Sequence, residues 1–175
     1  MSGTNAILNL FLTLVNPGDN VLIPEPYFPL YGPDAKLCGG DAKYYPCRFE
    51  DEFVPNVESL EQLIDENTVA ILYNFPSNPT GGTLNVEQRD ALLNFAKKHD
   101  LWIITDEVYD RIVFEGEHVS FMGTGYDKVL LINSFSKTFA MTGWRLGYIM
   151  STNLEAMEQV IKMQYYMTAC SNDAM

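Results

Sequence analysis

Apolar residues fall into short, dense runs separated by stretches of helical periodicity. Residues 21–23, 69–73, 101–105, 129–133 and 146–150 are apolar with little polar alternation. That is the pattern of strands covered on both faces. Lys43-Tyr44-Tyr45 is a weaker run and reads as an edge strand. Between the runs lie helical patterns. Residues 4–15 are apolar all round, which predicts a buried helix. Asn56 can cap a helix over 57–66 with a stripe of Leu60, Leu63 and Ile64. Asn85, with Gln88 three positions on, has the form of a capping box opening a helix over 86–99. Leu92, Phe95, Ala96 and His99 share one face of it, and Lys97 and Lys98 sit in its last turn, where the helix dipole favours cations. A last helix over about 153–167 places Leu154, Met157 and Ile161 in register. Strand and helix in alternation predict an α/β fold: a three-layer sandwich whose mostly parallel sheet carries helices on both faces. No repeat, low-complexity segment or linker divides the chain, so residues 1–175 read as one domain or a large piece of one.

Composition narrows the partners. The 175 residues carry 11 Lys and Arg against 23 Asp and Glu, a formal net charge of −12. A polyanion without a basic cluster excludes nucleic acid and acidic lipid as expected partners. No apolar run approaches the roughly 18 residues a membrane span needs, and the apolar N-terminus lacks the basic start and cleavage site of a signal peptide. Three widely spaced cysteines, Cys38, Cys47 and Cys170, argue against a disulfide framework or a zinc site. They are expected to be packing thiols in a reducing, cytoplasmic setting, and no metal is expected. The chain starts without a leading strand and stops after a helical pattern with no stop signal, so it is expected to be part of something longer.

In parallel sheets, ligands bind beyond the carboxyl ends of the strands. Four segments with unusual chemistry fall there: Pro24 to Tyr31, Asn74 to Gly82, Asp106 to Tyr109, and Ser134 to Lys137. Together they bring an amide, an acid, a phenol, hydroxyls and a lysine to one edge. Taken singly, each has a plainer reading. Lys137 could be a surface lysine; between Phe135 and Phe139, apolar neighbours would instead disfavour its charge and free the amine as a nucleophile. Asp106 could cap a following helix. Asn78-Pro79-Thr80-Gly81 could be a turn. Arg145 could make a surface ion pair. Ser2-Gly3-Thr4 could simply cap a helix, or its N–H groups could cradle an anion.

The joint pattern is more specific. Ser134-Phe135-Ser136-Lys137 followed by Thr142-Gly143-Trp144-Arg145-Leu146-Gly147-Tyr148 resembles a signature of the pyridoxal-phosphate-dependent aminotransferases of class I/II, the aspartate-aminotransferase type of fold type I. Asn78-Pro79-Thr80-Gly81 and Asp106-Glu107-Val108-Tyr109 match two further signatures of that family, in the family's order. The resemblance runs from Ser2 to the last helix.

The resemblance implies pyridoxal 5'-phosphate as cofactor and assigns roles. Lys137 matches the lysine that holds the cofactor as a Schiff base and then moves protons. Asp106 matches the acid facing the pyridine nitrogen, whose charge keeps the ring an electron sink. Asn78 and Tyr109 match the pair that hydrogen-bonds the ring's phenolic oxygen. Phe28 falls where an aromatic stacks on the ring, and Val108 where a small apolar side chain closes the other face. Arg145, eight residues after Lys137, matches the phosphate-binding arginine, whose planar guanidinium suits that contact. Ser134 and Ser136 would add hydroxyl donors, and Ser2, Gly3 and Thr4 match the phosphate loop at a helix start. Tyr31 falls where a partner of the acid can sit.

Other residues read plainly. His118 is expected in an exposed loop, His99 at a helix end with no further role, and Met157, Met163 and Met167 in helix packing. The family's members are longer. Relative to them the N-terminal arm, the first strand and the C-terminal small domain are absent, and with the small domain the arginine that grips the substrate carboxylate. The family also builds its site across a homodimer. The resemblance thus implies an aminotransferase acting on an L-amino acid and a 2-oxo acid, with this chain supplying the cofactor site. The alternatives are a carbon–sulfur lyase on the same scaffold and a non-catalytic, aminotransferase-like effector domain.

Overall fold

The computed structural model describes residues 2–170. The apolar runs assemble into one six-stranded sheet. Its strands are β1 (Asn20–Glu25), β2 (Asp41–Pro46), β3 (Thr68–Asn74), β4 (Trp102–Asp106), β5 (Val129–Ser134) and β6 (Gly147–Met150), in the order β2-β1-β3-β4-β5-β6. Pairing is parallel throughout except between β5 and β6, which run antiparallel. The helices are α1 (Gly3–Leu14), α2 (Tyr31–Leu37), α3 (Val57–Glu61), α4 (Val86–Lys98), the single turn α5 (Phe135–Thr138) and α6 (Leu154–Thr168).

The sheet separates two cores. Ala70 and Leu72 of β3 join the cluster beneath α1, α2 and α6, whereas Ile71 and Tyr73 join the cluster with α3 and α4. This period-two division of one strand makes the three-layer sandwich. Helix α1 has no exposed residue, as its all-round apolar sequence requires, and Phe11, Leu10 and Ala6 are fully buried. Each large side chain so enclosed contributes on the order of 1.5–3 kcal/mol. The capping box on α4 is present in full: Asn85 Oδ1 accepts from the Gln88 N–H and Gln88 Oε1 from the Asn85 N–H, both at 2.8 Å.

Several expectations need correction. Helix α2 occupies a segment that showed no helical signal. Helix α3 ends at Glu61 rather than at residue 66. There the Asp65 carboxylate competes for the chain, accepting from the Asn67 N–H at 3.0 Å, Asn20 Nδ2 at 2.8 Å and Lys43 Nζ at 2.5 Å. Strand β6 is not covered on both faces; it is an antiparallel edge with alternating exposure. Helix α6 buries Ala156 and Val160 and leaves Leu154 and Ile161 exposed. The fully buried Asn9 of α1 sets that rotation by donating its Nδ2 to the Val160 carbonyl at 3.1 Å. Cys170 is exposed, so of the three thiols only Cys47 is buried and Cys38 half-buried.

Candidate active site

Three parallel strands end side by side in polar residues: β3 at Asn74, β4 at Asp106 and β5 at Ser134. A cavity of about 190 Å³ opens above them, closed on one side by the first turn of α1.

Its floor is Asp106, 3% exposed. The Tyr31 hydroxyl donates to Oδ2 at 2.7 Å and the Val108 N–H to Oδ1 at 3.3 Å. Burial pushes the Asp106 carboxyl up to about 6; these two hydrogen bonds pull it down only partly, and the neighbouring Glu107 charge adds a smaller upward push. Burial, followed by the Asp106 charge, pushes the Tyr31 phenol well above its ordinary value. No helix follows Asp106, so the capping alternative falls; the carboxylate closes a turn through Val108 instead.

The Asn78 loop comes from β3. Asn74 Oδ1 accepts from the Asn78 N–H at 2.8 Å, and Asn74 Nδ2 donates to the Asp106 carbonyl at 3.0 Å. The segment is also a turn, closed by the Gly81 N–H on the Ser77 carbonyl at 2.9 Å. Gly81 takes φ +76°, a conformation that favours glycine.

At the start of α1, Ser2 caps the helix by accepting from the Asn5 N–H at 3.1 Å. Ser134 caps α5 by accepting from the Ser136 N–H at 3.3 Å. Helix α1, β5 and β6 meet so closely here that a Cβ on Gly147 would lie 2.8 Å from both the Asn133 carbonyl oxygen and the Gly3 nitrogen. Arg145 sits in the left-handed region at φ 53°, with Nη1 donating to the Thr142 carbonyl at 2.8 Å.

The structure therefore gathers Gly3, Thr4, Phe28, Asn78, Asp106, Val108, Tyr109, Ser134, Ser136, Lys137 and Arg145 around one cavity. Ser2 does not line it; its hydroxyl is turned into the cap. Asn74, Ile7 and Thr142 also line the cavity, although no role was assigned to them. Asn74 opens one of the four polar segments and Thr142 stands in a family signature; Ile7 carries no such signal. The apolar enclosure expected of Lys137 is absent: the residue is exposed, as is Phe139, and its Nζ lies 5.4 Å from the centre of the Tyr109 ring. His118 is not in an exposed loop. It is half-buried with Nε2 2.6 Å from Glu107 Oε2. His99 likewise has a partner, Glu61 Oε2 at 3.0 Å.

The lining combines a buried carboxylate with N–H groups of a helix start, hydroxyls and a guanidinium. It suits a molecule that carries both a hydrogen-bond donor for the carboxylate and an anionic group. Two hydrogen bonds leave the Asp106 carboxylate with lone pairs to accept one more donor. Among the described residues no cluster of side chains could hold a metal ion, and no helix is long and apolar enough to cross a membrane.

Known proteins of similar sequence and fold are aminotransferases. The aspartate aminotransferase of Thermotoga maritima is 38% identical over 169 residues, covering 95% of this chain and 45% of that protein. Aromatic-amino-acid aminotransferase 2 of Thermococcus litoralis is 37% identical over 172 residues, covering 96% and 44%. A solved aspartate aminotransferase of Thermus thermophilus, a double mutant, superposes with a TM-score of 0.94 at 33% identity, over 98% of this chain and 44% of that one. The chain thus spans less than half the length of the relatives it matches. A family model described as aminotransferase class I and II matches residues 1–174, and the chain belongs to that family.

Proposed function

We propose that this chain is the cofactor-binding core of a pyridoxal-phosphate-dependent aminotransferase, which moves an amino group between an L-amino acid and a 2-oxo acid. The observation that carries the reading is one cavity lined by the buried Asp106, the start of α1, Arg145 and Lys137.

In this reading Asp106 accepts a hydrogen bond from the protonated pyridine nitrogen and so offsets the cost of keeping a carboxylate buried. Tyr31 holds that carboxylate in place. Asn78 and Tyr109 donate to the ring's phenolic oxygen, and Phe28 and Val108 enclose the ring from its two faces. Gly3, Thr4, Ser134, Ser136 and Arg145 bind the phosphate, with Ser2 fixing the helix start from which the N–H groups point. Lys137 would hold the cofactor through its amine, its Nζ replacing the aldehyde oxygen, which leaves as water, and would move a proton at Nζ once freed. Bound pyridoxal phosphate supplies an electron sink for the negative charge that develops at the amino acid's α-carbon. Regions of the longer relatives beyond this chain would grip the substrate carboxylate, and a second subunit would complete the site.

Product analysis tests the reading. With pyridoxal phosphate and a panel of amino-acid and 2-oxo-acid pairs, a protein containing this chain should yield the new amino acid and the new 2-oxo acid in equal amounts, with no free ammonia. Release of ammonia with a thiol would instead identify a carbon–sulfur lyase, and a DNA-binding domain ahead of this segment in the parent reading frame, with no turnover, would favour the effector-domain reading.

A further inference from the structure

Directly after Asp106, one residue beyond β4, lies a buried carboxylate that none of the roles above uses. Glu107 is 2% exposed. Its Oε1 accepts from Thr105 Oγ1 at 2.9 Å, Ser120 Oγ at 3.0 Å and the Phe121 N–H at 3.3 Å. Its Oε2 faces His118 Nε2 at 2.6 Å. A carboxylate oxygen accepts, an arrangement that suits a hydrogen on His118 Nε2. Neither Glu107 nor His118 lines the cavity.

What the cluster holds is informative. The Phe121 ring stacks on Tyr73 of β3, with centroids 4.8 Å apart, and Arg89 of α4 donates to the Ser120 carbonyl at 2.7 Å. Residues 118–121 are therefore fixed to the core from below. The Glu107 backbone is fixed as well, its N–H donating to the Ile132 carbonyl at 2.9 Å. Its own carbonyl accepts from the Asp110 N–H at 3.0 Å, and Tyr109 accepts from the Ile112 N–H at 2.8 Å, which forms the turn carrying Val108 and Tyr109.

We propose that Glu107, locked by His118, is a positioning residue. It ties the turn of residues 107–112 to the fixed 118–121 segment and thereby holds Asp106, Val108 and Tyr109 in the geometry of the cavity. A buried carboxylate satisfied by four donors has one arrangement, whereas a surface turn of the same length has many. The link to cofactor rests on the function proposed above; the link to the turn does not.

The test compares His118→Ala with His118→Gln, whose Nε2–H can reach the same oxygen, and with His118→Phe, which keeps the ring's bulk without a donor. Hydrogen exchange is read without cofactor, and pyridoxal phosphate affinity by titration. A hydrogen bond to a charged group implies changes of about tenfold or more. Exchange at Val108, Asp110 and Ile112 should rise about tenfold in Ala and Phe with β1 and α4 unchanged, cofactor affinity should fall about tenfold, and Gln should restore both. Unchanged exchange over 107–112, a uniform rise across the chain, or Gln as damaging as Phe would overturn the proposal. If the unsubstituted chain takes up no pyridoxal phosphate, the functional reading fails while the exchange comparison still decides the role of Glu107.

Discussion

Replacing Asp106 with Asn keeps the shape of the side chain and removes its charge. In the folded chain the carboxyl is pushed up to about 6 by burial, from an ordinary 3.8. The folded state therefore holds the proton more tightly than the unfolded state. Folding takes up a proton between those two values, and raising the pH opposes it. The penalty is absent below the unfolded value, grows through the window and is complete above about 6; its full size is about 3 kcal/mol. Asp34, also pushed up to about 6 by burial, titrates in the same window, so only the difference between the two proteins isolates Asp106. Urea unfolding without cofactor, followed by fluorescence of Trp102 and Trp144, gives that difference at each pH. Between about pH 3.5 and about pH 7.5, Asp106→Asn should gain about 3 kcal/mol relative to the unsubstituted chain, or about 6–12 °C in Tm. The same variant should bind pyridoxal phosphate more weakly. Parallel pH profiles would refute the assignment of a strained, buried charge to Asp106.

Tyr31→Phe removes the hydroxyl that donates to Asp106 at 2.7 Å, so it should push the Asp106 carboxyl higher and cost about 1.5–3 kcal/mol at neutral pH, less in acid; the same urea series checks it. Gly147→Ala forces a Cβ against the Asn133 carbonyl and the Gly3 nitrogen, and should cost about 1–3 kcal/mol and weaken phosphate binding, measured by unfolding and by phosphate titration. Asn85→Ala removes the capping box of α4, far from the cavity, and should cost about 0.5–2 kcal/mol while leaving cofactor affinity unchanged.

The strands and most of the site were legible because their determinants are local. Apolar runs such as 69–73 and 129–133 fix the sheet, and the residues just beyond them reach one edge by topology alone. The family signatures then suggested roles for those residues. The failures have the opposite cause: they depend on partners remote in sequence. The end of α3 depends on Asn20 and Lys43 meeting Asp65. The rotation of α6 depends on Asn9, 151 positions from Val160. His118 looked like part of a polar loop because nothing in its own neighbourhood reveals the buried Glu107. The exposure of Lys137 was hidden for a similar reason: Phe135 and Phe139 flank it in sequence but do not enclose it.

The central claim is that this cavity receives pyridoxal phosphate and that Lys137 binds it covalently. Incubation with pyridoxal phosphate, borohydride reduction and peptide mapping test both together. The account predicts a pyridoxyl group on Lys137, lost in Lys137→Ala and reduced in Arg145→Ala. Labelling spread over exposed lysines such as Lys97, Lys98 and Lys128, unchanged by Lys137→Ala, would contradict it.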